Sequence, residues 1–172
     1  MSTGFVGTPC ILHALSENGR ADKAYDLLLE EGNPSWLFSV DHGATTMWEH
    51  WDSINESGDF WSADMNSFNH YAYGAVYDWI FGTVLGIDVD MEKAPYGAGY
   101  SRIIYSPIPD ARLGHAEGSI ETSFGTIRSG WSYLDSGKVR YELTLPEGTV
   151  ATVRIPGIRE QQLRGGSYIF IK

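Results

Sequence analysis

Residues Asp41 to Gly74 read DHGATTMWEHWDSINESGDFWSADMNSFNHYAYG. This stretch carries Trp48, Trp51 and Trp61, half of the tryptophans of the 172-residue chain, together with His42, His50 and His70. Carboxylates are equally dense, at Asp41, Glu49, Asp52, Glu56, Asp59 and Asp64. Such a mixture makes a costly dry core, because every buried polar group needs a partner. It suits a cleft for a polyhydroxylated ligand, with rings against C–H faces and polar groups on hydroxyls.

Upstream of this stretch the pattern is helical. Thr8 and Pro9 read as a helix start, Thr8 as the cap and Pro9 at the first helical position, where a missing N–H costs nothing. Ile11, Leu12 and Leu15 form one apolar face, and Asn18-Gly19 supplies a left-handed stop. Ala21, Ala24, Tyr25, Leu28 and Leu29 then recur at helical spacing up to Gly32-Asn33-Pro34. Two helices on so short a turn predict an αα-hairpin, which needs neighbours to cover both its faces. Within the stretch itself, Gly43 to Trp51 predicts a helix capped by Thr45 or Thr46, placing Glu49 and Asp52 on one face. Asp52 to Asn66 reads as a long polar loop. A further helix is expected from Ser67 to Leu85, closed by Gly86, with His70 in its first turn. Gly74 inside that helix implies a close neighbour, since glycine there costs about 1 kcal/mol against alanine.

After Gly99 the pattern alternates. Candidate strands are Ser101–Ser106, Ala116–Thr122, Gly125–Leu134, Lys138–Leu145, Thr149–Ile155 and Tyr168–Ile171. Val139, Tyr141, Leu143 and Leu145 alternate with Arg140, Glu142 and Thr144, the signature of a strand with one buried face. Asp135-Ser136-Gly137 reads as a hairpin turn. Short strands at regular spacing predict an antiparallel sandwich.

The charge divides the chain in the same way. Three Lys/Arg stand against fifteen Asp/Glu up to Gly97, and nine against seven after it, within a total of −10. This imbalance argues for two units joined between Asp88 and Gly99, and acidity argues against nucleic acid as a partner. No apolar run approaches the roughly 20 residues of a membrane span, so no membrane partner is expected. MSTGFVGTPC lacks the features of a signal peptide, and the chain as given reads as cytoplasmic. A lone Cys10 excludes an internal disulfide and reads as a small core residue. There is no P-loop, and no cofactor is implied.

Glu49, between Trp48 and Trp51, is the leading catalytic candidate, because a carboxylate against indole faces suits acid/base work. A structural carboxylate, capping a helix or pairing with a surface base, fits the same residues. His70 stands between two readings in the same way, a ligand contact or a satisfied core histidine. The spacing of His42, His50 and His70 matches no zinc signature, so no metal site is expected.

GATTMWEHWD, followed by DMNSFNHYAYGAVYDWIFGTVLGI and YSRIIYSPIP, resembles the C-terminal part of bacterial α-L-rhamnosidases of glycoside hydrolase family 78. STGFVGT, HALSENGRADKAYDLLL and the GGSYIF ending at Phe170 are similar to the same family. The resemblance implies an α-then-β chain: the last helices of an (α/α)6 barrel over 1–97, then an antiparallel β-sandwich over 98–172. It implies hydrolysis of terminal α-L-rhamnosides with inversion, and rhamnose-containing glycosides as ligands. Glu49 matches the family's general base and His70 a histidine that contacts the sugar, with Trp48 and Trp51 as wall or supporting residues. The general acid of the family lies in an earlier motif with no counterpart here, and Met1 begins at a family-internal segment. A C-terminal fragment is therefore expected, carrying the base without the acid, inactive alone, and self-associating through barrel helices that lack their partners.

Overall fold

The computed structural model describes residues 3–64, 66–93 and 99–172. The chain falls into two compact units, Met1–Trp79 and Ile80–Lys172. The expected boundary at Gly97 and Ala98 lies outside the described residues.

The first unit opens with the anticipated hairpin, α1 (Thr8–Glu17) and α2 (Ala21–Leu28). Gly19, at φ 73°, makes the turn between them. Leu12, Ala24 and Tyr25 are buried. Thr8 is the first helical residue rather than the cap: its Oγ1 donates to the Gly4 carbonyl at 2.9 Å, and the cap position is Gly7. Cys10, expected in the core, is exposed. It precedes buried Leu12 by two residues, which is roughly 200° around the helix.

A short helix, α3 (Trp36–Asp41), was not anticipated. Ser35 starts it by accepting the Phe38 N–H on Oγ at 3.0 Å. The helix expected over 43–51 does not form, because Thr46 to Glu49 run beside Ser67 to His70 instead. The helix expected from Ser67 begins only at Ala72. It runs through a 3-10 turn (Ala72–Ala75), α4 (Val76–Trp79) and a π-helical turn (Ile80–Val84). At Gly74 an added Cβ would lie 4.0 Å from the Met47 side chain, an ordinary contact. Trp79 anchors the unit: 1% exposed, it stands edge-on to Tyr25 at 5.1 Å and donates its Nε1–H to Ser16 Oγ at 2.9 Å.

The second unit is a β-sandwich. One sheet contains β1 (Ile87–Val89), β2 (Arg102–Tyr105), β6 (Val150–Val153) and β7 (Gln161–Leu163), in the order β1-β2-β6-β7. The other contains β3 (His115–Thr122), β4 (Gly125–Tyr133), β5 (Val139–Leu145) and β8 (Gly166–Ile171), in the order β3-β4-β5-β8. All six anticipated strands are present. β1 and β7, three residues each, are too short to show a period. One pair departs from the expected antiparallel pattern: β2 and β6 run parallel, with Arg102 beside Val150. The whole of β3 to β5 lies between them in sequence, and a connection of that length permits parallel pairing.

Ile103, Tyr105, Ala151 and Val153 from the first sheet and Ile127, Trp131, Leu143 and Leu145 from the second are all buried. The Tyr105 hydroxyl donates to the Glu142 carbonyl at 3.2 Å, tying β2 to β5. Burial pushes that phenol well above its ordinary value. The π-helical turn ends on this sandwich. Trp131 donates its Nε1–H to the Val84 carbonyl at 2.7 Å and Ser129 its hydroxyl to the Leu85 carbonyl at 2.6 Å, so β4 side chains serve the carbonyls left open at the helix end. Gly86 turns the chain at φ 69°, where an added Cβ would stand 2.1 Å from the Pro107 nitrogen.

Candidate functional site

Two irregular segments joined by backbone hydrogen bonds bring the candidate residues together. The His70 N–H donates to the Met47 carbonyl at 2.8 Å, and the Glu49 N–H donates to the Ser67 carbonyl at 2.8 Å. Thr46 adds a bond from its hydroxyl to the Phe68 carbonyl. GATTMWEHW and NSFNHYAYG, far apart in sequence, thus pair along their backbones. Glu49 is therefore not on a helix, and it shares no helical face with Asp52.

The Glu49 side chain is half-buried. Its Oε2 accepts the Ser67 N–H at 3.1 Å. A carboxylate has capacity for about four such bonds, so this contact fixes the group while leaving capacity for a water or a sugar hydroxyl. Among the described residues no Lys or Arg forms an ion pair with Glu49, and it caps no helix.

His70 is also half-buried. Its Nδ1 faces the Ala72 N–H at 3.3 Å. A ring nitrogen that accepts from a backbone N–H carries no hydrogen of its own, so this bond leaves Nε2 as the donor of the ring. Phe5 stacks on the ring at 4.7 Å and Tyr71 at 5.3 Å, and both of these residues are exposed. His70 therefore presents a donor within an aromatic, solvent-facing cluster.

Trp48 and Trp51 are buried, at 4% and 9% exposure. Trp48 stands edge-on to Phe68 at 5.6 Å. Trp51 stacks on Tyr73 at 3.8 Å and meets Trp36 edge-on at 5.2 Å. Trp48 thus backs the segment that carries Ser67. Trp51 lines an open recess of about 380 Å³ with Thr3, Asn33, Asp52 and Tyr73.

The other two histidines of the Asp41–Gly74 stretch each lie against an aromatic ring. His42 stacks on Phe38 at 4.0 Å and His50 on Trp61 at 3.7 Å. No group of three or more His, Cys, Asp or Glu positioned for a metal occurs among the described residues. Within the same residues, no helix is long and apolar enough to cross a membrane. Sequence reasoning did not find Ser67 or Phe5 as neighbours of the site. Ser67 acts through its backbone, which leaves no residue-type signal, and Phe5 lies 65 positions from His70.

Residues 1–84 match the bacterial alpha-L-rhamnosidase 6 hairpin glycosidase domain, and residues 86–170 match the bacterial alpha-L-rhamnosidase C-terminal domain. An α-L-rhamnosidase of Streptomyces avermitilis is 37% identical over 172 residues, covering 100% of this chain and 16% of that protein. One of Formosa agariphila is 38% identical over 164 residues, covering 95% of this chain and 17% of that protein. The chain thus spans about a sixth of the length of these relatives. The crystal structure of Streptomyces avermitilis α-L-rhamnosidase complexed with L-rhamnose matches with a TM-score of 0.86 at 35% identity, over 100% of this chain and 18% of that one. Native α-L-rhamnosidase from Aspergillus terreus matches with a TM-score of 0.87 at 31% identity, over 99% of this chain and 19% of that one.

Proposed function

This chain belongs to the bacterial α-L-rhamnosidase family, and from that premise we propose that it supplies the general base for inverting hydrolysis of terminal α-L-rhamnosides. The observation that carries the reading is the Glu49 carboxylate, held by the Ser67 N–H at 3.1 Å and otherwise open to a water. Glu49 takes a proton from that water as it attacks the anomeric carbon. The bond to the leaving oxygen breaks through an oxocarbenium-like transition state, and the sugar is released with inverted configuration. The Nε2–H of His70 donates to a hydroxyl of the sugar, while Trp48 and Trp51 support the wall behind Glu49.

Inversion also requires a general acid, roughly 6.5–9.5 Å from the base. Asp52, Asp59 and Asp64 have no role of that kind in the family resemblance, so the acid is assigned to barrel sequence outside these 172 residues. On this reading the 172 residues alone turn over negligibly, since loss of general acid assistance costs about 10²–10⁴-fold. The second reading, a carbohydrate-binding piece that does not cut, rests on the recess at Trp51. Proton NMR of the first sugar released by the protein carrying this chain tests the inverting mechanism. The β-anomer is expected first, and the α-anomer first would overturn it.

A further inference from the structure

Phe5 takes no part in the mechanism above, yet its ring lies against His70. The short turn that carries it is firmly built. The Gly4 carbonyl accepts the N–H groups of Gly7 and Thr8 at 3.1 and 3.0 Å and the Thr8 hydroxyl at 2.9 Å. Thr8 is buried, so the turn is tied to the start of α1. Gly7 permits a close approach there, since an added Cβ would lie 3.2 Å from Thr3 Cβ. Phe5 and Val6 share the tip of this turn and differ in surroundings. Val6 is 91% exposed, whereas Phe5 is 41% exposed because its ring packs on His70 and Tyr73.

The Phe5 ring stands 4.7 Å from the imidazole at an interplanar angle of 25°, and 5.4 Å from Tyr73 at 59°. Tyr73 is buried and stacked on Trp51, so Phe5 rests on a fixed ring while it covers the imidazole. The other restraints on that imidazole are weaker. The His70 backbone is pinned by the Met47 carbonyl at 2.8 Å, but the χ2 torsion of a histidine is broad. The Ala72 N–H meets Nδ1 at 3.3 Å, beyond the usual range of about 2.7–3.2 Å. Tyr71, adjacent in sequence, is 88% exposed and mostly solvated. Among the described residues, Phe5 is thus the ring contact of His70 that is anchored outside its own segment.

We propose that Phe5 is a positioning residue for His70, holding the imidazole plane by stacking so that the Nε2 donor meets a hydroxyl of the bound rhamnosyl unit. The sugar at the end of that bond rests on the proposed rhamnosidase reading, whereas the stack stands on its own geometry. An imidazole released from the stack turns about χ2 and spreads its donor over several directions. The loss therefore falls on sugar binding, and Phe5 acts only through His70.

A double-mutant cycle in the protein carrying this chain tests it, with an aryl α-L-rhamnoside as substrate. Phe5→Leu keeps apolar bulk without a flat ring, a change that a half-exposed position tolerates; Phe5→Tyr keeps the ring. Phe5→Leu is expected to raise KM about 2–10-fold with a smaller change in kcat, and Phe5→Tyr to stay within about twofold of wild type. In a His70→Ala background, Phe5→Leu is expected to add less than about twofold, because residues that act as a unit are not additive. Where His70→Ala itself raises KM, an equal effect of Phe5→Leu in both backgrounds overturns the proposal, and so does a Phe5→Leu protein indistinguishable from wild type. Carbethoxylation of His70 by diethyl pyrocarbonate, followed by peptide mass spectrometry, reads the stack without turnover. Its rate is expected to rise severalfold in Phe5→Leu and to stay unchanged in Phe5→Tyr. Where His70→Ala is kinetically silent, the sugar contact alone fails, and this rate decides the stack: a rise in Phe5→Leu upholds it and an unchanged rate overturns it.

Discussion

Glu49 and Ser67 are joined twice: the Glu49 N–H donates to the Ser67 carbonyl at 2.8 Å, and the Ser67 N–H donates to Glu49 Oε2 at 3.1 Å. The same pair of segments holds His70 through the Met47 carbonyl at 2.8 Å. Backbone pairing thus sets the position of the carboxylate relative to the imidazole. The side chain of Glu49 has no part in building a core, and its freedom is limited by a single N–H donor.

His70→Ala is expected to raise KM for an aryl α-L-rhamnoside severalfold, about 2–10-fold, with a smaller change in kcat. Loss of one neutral hydrogen bond to a sugar hydroxyl costs about 0.5–1.5 kcal/mol. Steady-state kinetics on the protein carrying this chain read the effect. Unchanged KM and kcat would remove His70 from the site.

Gly86→Ala is expected to destabilise the sandwich unit by more than about 2 kcal/mol. The left-handed backbone at φ 69° alone disfavours an L side chain by about 1–2 kcal/mol. The added Cβ also meets the Pro107 nitrogen at 2.1 Å, and backbone cannot move aside as a side chain can. Urea unfolding followed by Trp131 fluorescence measures it, and an unchanged midpoint would contradict the packing described here.

The 172-residue chain is expected to self-associate. Val6, Tyr71, Phe60 and Tyr77 are 91%, 88%, 64% and 60% exposed in the first unit, and exposed apolar surface of this kind seeks a partner. Light scattering across a concentration series tests this. A monodisperse 19.1 kDa particle at every concentration would contradict it.

Much of the architecture could be read from local pattern. The α1–α2 hairpin follows from helical spacing closed by Asn18-Gly19, and β5 follows from the alternation of Val139 to Leu145, all four apolar members of which are buried. What was missed depends on partners distant in sequence. Thr46 to Glu49 look helical by spacing, yet Ser67 to His70 draw them into backbone pairing instead. α3 is six residues long and is signalled only by the Ser35 cap, below the length at which a period shows. The parallel pairing of β2 and β6 joins segments separated by three other strands. The sequence offered Glu49 and His70 as candidates by residue type, but not the backbone pairing that brings them together. The donor that orients Glu49 is the backbone N–H of Ser67, and any non-proline residue carries one.

The most direct measurement is hydrolysis of an aryl α-L-rhamnoside by Glu49→Gln in the protein carrying this chain. Glutamine keeps an oxygen for the Ser67 N–H and so preserves the fold, which circular dichroism verifies, but it cannot take a proton from water. Turnover is expected to fall by about 10²–10⁴-fold or more. A variant that folds like the wild type and turns over within about tenfold of it would contradict Glu49 as the base.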